Sequence, residues 1–164
     1  MESRLKAHKM SPAAYQAMYA LETFVQKSSG LEPSLIELVK MRASQVNGCA
    51  YCIDMHSKDA RAAGESEQRL YALNAWRETP FFTPREQAAL AWTEAVTLLT
   101  EGHVSDAVYE HARQQFSEEE LVNLTMAVVT INGWNRLAIA FRAVPGDYQP
   151  AARKAEAAPA TGTS

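Results

Sequence analysis

Residues 33–64 read PSLIELVKMRASQVNGCAYCIDMHSKDARAAG. Pro33 suits the first turn of a helix, where its missing N–H costs nothing. Leu35, Leu38, Val39, Arg42 and Val46 recur at helical spacing, and Asn47-Gly48 ends the run. A second helix begins near Cys49 and stops at Gly64. The two cysteines, Cys49 and Cys52, therefore lie at the start of a helix that follows another helix. A thioredoxin-type fold also sets a CxxC at a helix start, but behind a strand, and no strand pattern precedes this one.

The same punctuation recurs outward. Ser11-Pro12 opens an earlier helix that stops at Gly30. Ser66 caps one carrying Leu70, Leu73 and Trp76, bounded by Pro80. Thr83-Pro84-Arg85-Glu86 and Ser117-Glu118-Glu119-Glu120 are capping boxes, opening helices to about Gly102 and about Phe141. Ser105 opens another, with Val108, Ala112 and Phe116 in line. The Val, Ile and Thr clusters fall inside helical periods. The expected fold is all-α, a bundle of about seven helices spanning 1–150 as one domain. Residues 151–164, rich in Ala with Pro and Gly, read as a disordered tail.

Composition narrows the function. The 164 residues carry 16 Lys plus Arg against 19 Asp plus Glu, a formal charge of −3, which is the wrong sign for a nucleic-acid binder. With 47 % apolar and 21 % charged residues, the chain is globular in composition. No apolar run reaches membrane-spanning length, and the polar start MESRLKAHKM is unlike a signal peptide. The expectation is a cytoplasmic protein that binds neither nucleic acid nor membrane. Two cysteines are too few for a secreted disulfide framework. No Gly-rich phosphate loop points to a nucleotide, and no cofactor is expected.

At about 100° per residue, with Cys49 at zero, Cys52 falls at about −60° and His56 at about −20°. All three share the face that holds Ile53, Ala60 and Ala63. Helix-start N–H groups and a neighbouring His each favour a thiolate, and thiols three apart can close a disulfide. Three readings follow. The pair can be a redox dithiol. It can be two small buried residues beside a core histidine. Or Cys49, Cys52 and His56 can be three of four zinc ligands, although His103 and His111, distant and eight apart, supply no clear fourth. No metal is expected. Trp76, Trp92 and Trp134 read as core or interface aromatics, and His8 has no acidic or thiol partner at helical spacing.

The stretch Glu37 to His56 resembles the core of AhpD-like alkylhydroperoxidases, of the carboxymuconolactone decarboxylase-like superfamily. Its pieces are Glu37, Cys49, Cys52 and His56, with Arg42, Ser44 and Asn47 also typical. Asn132-Gly133-Trp134-Asn135-Arg136 resembles the family's C-terminal helix. The resemblance implies that Cys52 attacks a peroxide, that Cys49 resolves the sulfenic acid to a Cys49–Cys52 disulfide, and that His56 and Glu37 relay protons. It implies hydrogen peroxide or an organic hydroperoxide as substrate. The implied external reductant is a dithiol, either a lipoyl protein or a thioredoxin-like protein. In some members the dithiol instead passes electrons to a peroxiredoxin. A homo-oligomer, trimer or hexamer, is implied too. Tyr51 stands where well-studied members carry a second His, so the relay either differs there or takes a hydrogen bond from Tyr51.

Periodicity disagrees at one point. Glu37, Lys40 and Ser44 lie opposite the apolar stripe of their helix, the side that ordinarily meets solvent. Arg42 lies within the stripe, so it is paired with a carboxylate, placed at a subunit contact, or packed by its stem with its head in water.

Overall fold

The turn at Gly48 positions everything downstream. Gly48 adopts φ 67°, ψ 31°, a left-handed conformation that glycine enters without a Cβ penalty. The N–H of Cys49 then donates back to the Ser44 carbonyl at 2.9 Å, satisfying the end of one helix as the next begins. The computed structural model, which describes residues 2–150, thereby sets the CxxC helix against its predecessor.

In chain order the α-helices are α1 (Ala7–Met10), α2 (Pro12–Lys27), α3 (Pro33–Asn47), α4 (Ala50–Ala62), α5 (Glu67–Ala72), α6 (Pro84–Thr97), α7 (Asp106–Arg113) and α8 (Glu118–Phe141). Two short 3₁₀ segments occur at Leu73–Glu78 and Leu99–Glu101. The all-α expectation holds, and no strand occurs among the described residues. The boundaries are finer than expected. The four-residue α1 precedes the first anticipated helix. The helix anticipated from Ser66 to Pro80 passes into 3₁₀ geometry after Ala72, with Ala75 out of helical range at φ −118°, ψ 32°. The anticipated tail, 151–164, lies outside the described residues.

Both capping boxes form: Thr83 and Ser117 each accept the N–H three residues on, and Glu86 and Glu120 reach back. Each such cap is worth about 1 kcal/mol. Ser11 precedes α2 without a side-chain cap bond, so Pro12 alone prepares that start.

Helix α3 is the centre of the bundle, in contact with α2, α4, α6 and α8. Leu35, Ile36 and Val39 join Trp92, Phe116, Leu124 and Val128 in the largest apolar cluster. Leu38 and Met41 face Leu73, Trp76 and Leu90 in a second. A third encloses Cys49 and Cys52 with Ala43 and Ile131. Met18 of α2 lays its terminal methyl over Gly133 of α8, 2.8 Å from where a Cβ would stand. Trp134 beside it meets Tyr15 and Tyr19 of α2.

With helices on several sides, α3 has no wet face along this stretch. Lys40 and Ser44 are buried, and the Glu37 side chain is only 14 % exposed. The solvated side expected from periodicity is therefore a second interior. One helix's own pattern does not record which other helices will cover it.

Candidate functional site

Cys49 is the N-cap of α4, and Cys52 lies one turn into it. Both sulfurs are buried and lie 2.8 Å apart as free thiols. The Cys49 thiol is drawn down to about 7. The main cause is the hydrogen bond from the Cys52 thiol. Burial opposes it, while the helix-start N–H groups of Cys52 and Tyr51 and the Asn135 amide assist. The same pairing, with burial, pushes Cys52 up. Once the first proton has left, the two sulfurs share the remaining one and titrate as a unit.

Asn135 of α8 holds this pair from behind. It is fully buried, donates to Ser44 Oγ at 3.0 Å and accepts from Asn47 Nδ2 at 2.8 Å. Asn47 also donates to Asn132 at 2.9 Å. Ser44 and Asn47, singled out from sequence, therefore support the amide that touches the thiols.

His56 follows Cys52 by one turn and is 5 % exposed. Its Nδ1 lies 2.9 Å from Glu37 Oε2. Burial acts to raise the Glu37 carboxyl, but the His56 hydrogen bond and charge, Lys40 and Gln26 together hold it below the usual range. A carboxylate fixes the imidazole tautomer with a proton on Nδ1. Behind Glu37 the chain of contacts continues. Gln26 bridges Glu37 and Glu22 at 3.4 and 3.2 Å, Lys40 pairs with Glu22, and Trp134 Nε1 donates to Glu22 at 3.1 Å.

Cys52, His56 and Glu37 line a cavity of about 510 Å³, as do Tyr51 and Asp59. Cys49 is not among the residues that line it. Burial and the nearby thiol charge push Tyr51 up, so its phenol remains an O–H donor. Asp59 is raised by burial, with Glu37 adding to it, and its carboxylate accepts from the Tyr148 hydroxyl at 2.8 Å. Tyr148 is held there by the segment around it. Lys58 donates to the carbonyls of Gly146 and Tyr148, and Asp54 accepts the Gly146 N–H.

Glu37, His56 and Asp59 offer ligand atoms within 4.8 Å of one another. Such an oxygen and nitrogen set suits zinc, manganese or iron. Here the donors already bond His56 to Glu37 and Asp59 to Tyr148. The sulfurs do not belong to that set.

The structure thus brings together Cys49, Cys52, His56, Glu37 and Tyr51, with Ser44 and Asn47 one contact behind. Arg42 goes elsewhere. Its guanidinium donates to Glu94 at 2.7 Å and to Asn74 at 2.7 Å, which resolves it as a carboxylate-paired arginine. Sequence reasoning missed Asn135, Lys40, Glu22, Gln26, Asp59 and Tyr148. Only Asp59, three residues after His56 on the same helix, carried a local signal.

Comparison with known proteins places the chain in a family. Residues 12–95 match the model of the carboxymuconolactone decarboxylase family. The chain belongs to that family. YdfG, an uncharacterized protein of Bacillus subtilis, is 42 % identical over 85 % of this chain and 95 % of its own. A crystal structure from Agrobacterium tumefaciens, of a protein of unknown function provisionally named as the antioxidant defence protein AhpD, superimposes with a TM-score of 0.86. It is 46 % identical, covering 88 % of this chain and 99 % of that one. The debrominase Bmp8 has the same fold at 19 % identity, with a TM-score of 0.77 over 85 % of this chain and 74 % of its own. The AhpD-like helical fold of this carboxymuconolactone decarboxylase family member is thereby established. Among its described residues no helix is long and apolar enough to cross a membrane.

Proposed function

We propose that this protein is a thiol-dependent peroxidase that reduces hydrogen peroxide or organic hydroperoxides. The observation that carries the reading is the arrangement of the dithiol. One sulfur lines a cavity, the second lies 2.8 Å away, and a carboxylate-bound histidine lines the same cavity.

The reaction follows from the shared proton. Above about pH 7 the pair is a monoanion, with the charge mainly on Cys49. When the proton passes from Cys52 to Cys49, Cys52 becomes the thiolate at the cavity wall. Its sulfur attacks the terminal peroxide oxygen, an S–O bond forms and the O–O bond breaks. His56 Nε2, having taken up the proton that the dithiol released on becoming a monoanion, returns it to the departing RO⁻, which leaves as ROH. Cys49 then attacks the Cys52 sulfenic acid, forming the disulfide and releasing water. The net change is two thiols and ROOH to one disulfide, ROH and H₂O. An external dithiol, from a lipoyl protein or a thioredoxin-like protein, returns the pair to the reduced state by exchange.

A dithiol that serves mainly as electron donor to a peroxiredoxin is the competing reading. Both sulfurs are at most 2 % exposed. A protein dithiol meets that burial in either reading, and what favours the peroxidase is the cavity of about 510 Å³ at Cys52, which admits a small peroxide directly. Peroxide consumption with an external dithiol tests the proposal. Turnover that is lost in Cys52→Ser supports it; undiminished turnover in that variant refutes it.

A further inference from the structure

The cavity is larger than hydrogen peroxide requires. About 510 Å³ lies in the range of sites for small organic molecules, whereas a water-sized reactant needs on the order of 30 Å³. Its lining combines polar side chains with aromatic rings. Around His56, Glu37 and Asp59 offer oxygens within 4.8 Å, and Cys52 lies one turn earlier on the same helix.

The apolar lining is rich in rings. Tyr15, Tyr19 and Trp134 form one continuous cluster. Ring centroids are 5.7 Å apart for Tyr15–Trp134, 5.2 Å for Tyr19–Trp134 and 6.4 Å for Tyr15–Tyr19, with planes tilted by 49–56°. Tyr19 keeps 51 % of its surface exposed despite that packing. These tilted rings present both edges and faces, and an added ring can meet them in the edge-to-face or offset arrangements that aromatic pairs favour. The His8 ring packs edge-on against Tyr15 at 6.1 Å, and Glu22, the carboxylate beside Trp134, is already bound by Lys40 and by the Trp134 N–H. It is not left over to select a cationic ligand.

We propose that this cavity binds hydroperoxides whose body is an aromatic ring, with Tyr15, Tyr19 and Trp134 holding the ring while Cys52 receives the terminal peroxide oxygen. The proposal rests on the peroxidase reading for its chemistry and on the ring cluster for its specificity. Atoms and electrons balance as above: the aromatic hydroperoxide becomes the aromatic alcohol, and the dithiol becomes the disulfide.

Cumene hydroperoxide and tert-butyl hydroperoxide differ by a phenyl in place of a methyl, so they isolate the ring. The test compares kcat/KM for the two in the wild-type chain, Tyr19→Leu and Tyr15→Leu, each checked for folding by circular dichroism. In parallel, amide chemical shifts of Cys52→Ser, with and without Tyr19→Leu, are followed against the product alcohols, 2-phenyl-2-propanol and tert-butanol. A ring contact is worth roughly two- to tenfold in affinity. The expected preference for the cumene compound is therefore roughly tenfold, falling about fivefold in either Leu variant. The phenyl alcohol should bind more tightly than tert-butanol and lose that advantage with Tyr19→Leu. Equal kcat/KM for the two peroxides, or a preference untouched in both Leu variants, overturns the proposal. If neither peroxide turns over, the peroxidase reading fails, and the alcohol titration alone decides the ring site. Selective binding lost with Tyr19→Leu upholds that site, and equal binding of both alcohols refutes it.

Discussion

His56 Nδ1 lies 2.9 Å from Glu37 Oε2, across a sequence separation of 19 residues and two helices. The pair exists because Gly48 reverses the chain between α3 and α4, and because α3 is covered on the side where Glu37 emerges. One nitrogen of the imidazole is thereby committed to the carboxylate, leaving Nε2 for proton exchange with the cavity.

Glu37→Gln keeps the shape of this contact and removes its charge. The amide oxygen still accepts from Nδ1, but the negative charge that faces the imidazole is gone. Peroxide turnover should fall by about 10²-fold, the scale of a lost acid–base contribution, while the reduced dithiol still titrates. Steady-state kinetics beside thiol quantitation checks this. Unchanged kcat/KM would remove Glu37 from the relay.

The rate should depend on pH through the dithiol. Cys49 is drawn down to about 7, and attack needs the monoanion. Activity should therefore rise with pH through about 7 with a slope of one, and fall in acid as both thiols become neutral. The ultraviolet absorbance of the thiolate, followed in the reduced protein, should rise over the same interval. Cys49→Ser should displace that transition upward, because Cys52 loses the partner that accepts its proton.

Asn135→Ala removes the buried amide that bonds Ser44, Asn47 and the thiols. The stranded polar groups should cost about 2 kcal/mol in urea unfolding. The pH midpoint of activity should also move upward, because a donor to the thiolate is gone. A purely structural Asn135 would lower stability and leave the midpoint in place.

Lys40 is 1 % exposed and its partner Glu22 is 24 % exposed. Lys40→Ala leaves Glu22 without its counter-charge in a largely buried setting. It should destabilise the fold by about 3 kcal/mol, a fall in Tm of about 6–12 °C at this chain length. Calorimetry decides it, and a shift under about 2 °C would mean that solvent screens the pair.

Much of this arrangement was legible before any coordinates. Glycine and proline punctuation and the two capping boxes located most helices, because those signals are local and chemical. The shared face of Cys52 and His56 followed from helical geometry alone. Glu37 and Lys40 were not legible from their own helix. Their burial is decided by α2, α4 and α8, elements far away in sequence. Arg42 shows the same limit from the other side, since its place in the apolar stripe fitted three fates, and only Glu94 of α6 showed the carboxylate pair. Asn135 lay in a stretch that resembled the family's C-terminal helix, yet nothing local showed that its amide would reach the thiols. Tyr148 sits in an irregular segment and reaches Asp59 only because Lys58 and Asp54 tie that segment down.

The central claim is that Cys52 is the sulfur that meets the peroxide and Cys49 the one that resolves it. Stopped-flow mixing of reduced protein with one equivalent of peroxide, followed by intact-mass analysis of wild type, Cys49→Ser and Cys52→Ser, addresses it most directly. The account predicts loss of two hydrogens in the wild type, a gain of one oxygen on Cys52 in Cys49→Ser, and no rapid reaction in Cys52→Ser. Rapid oxidation of Cys49 in Cys52→Ser, with Cys49→Ser inert, would contradict it.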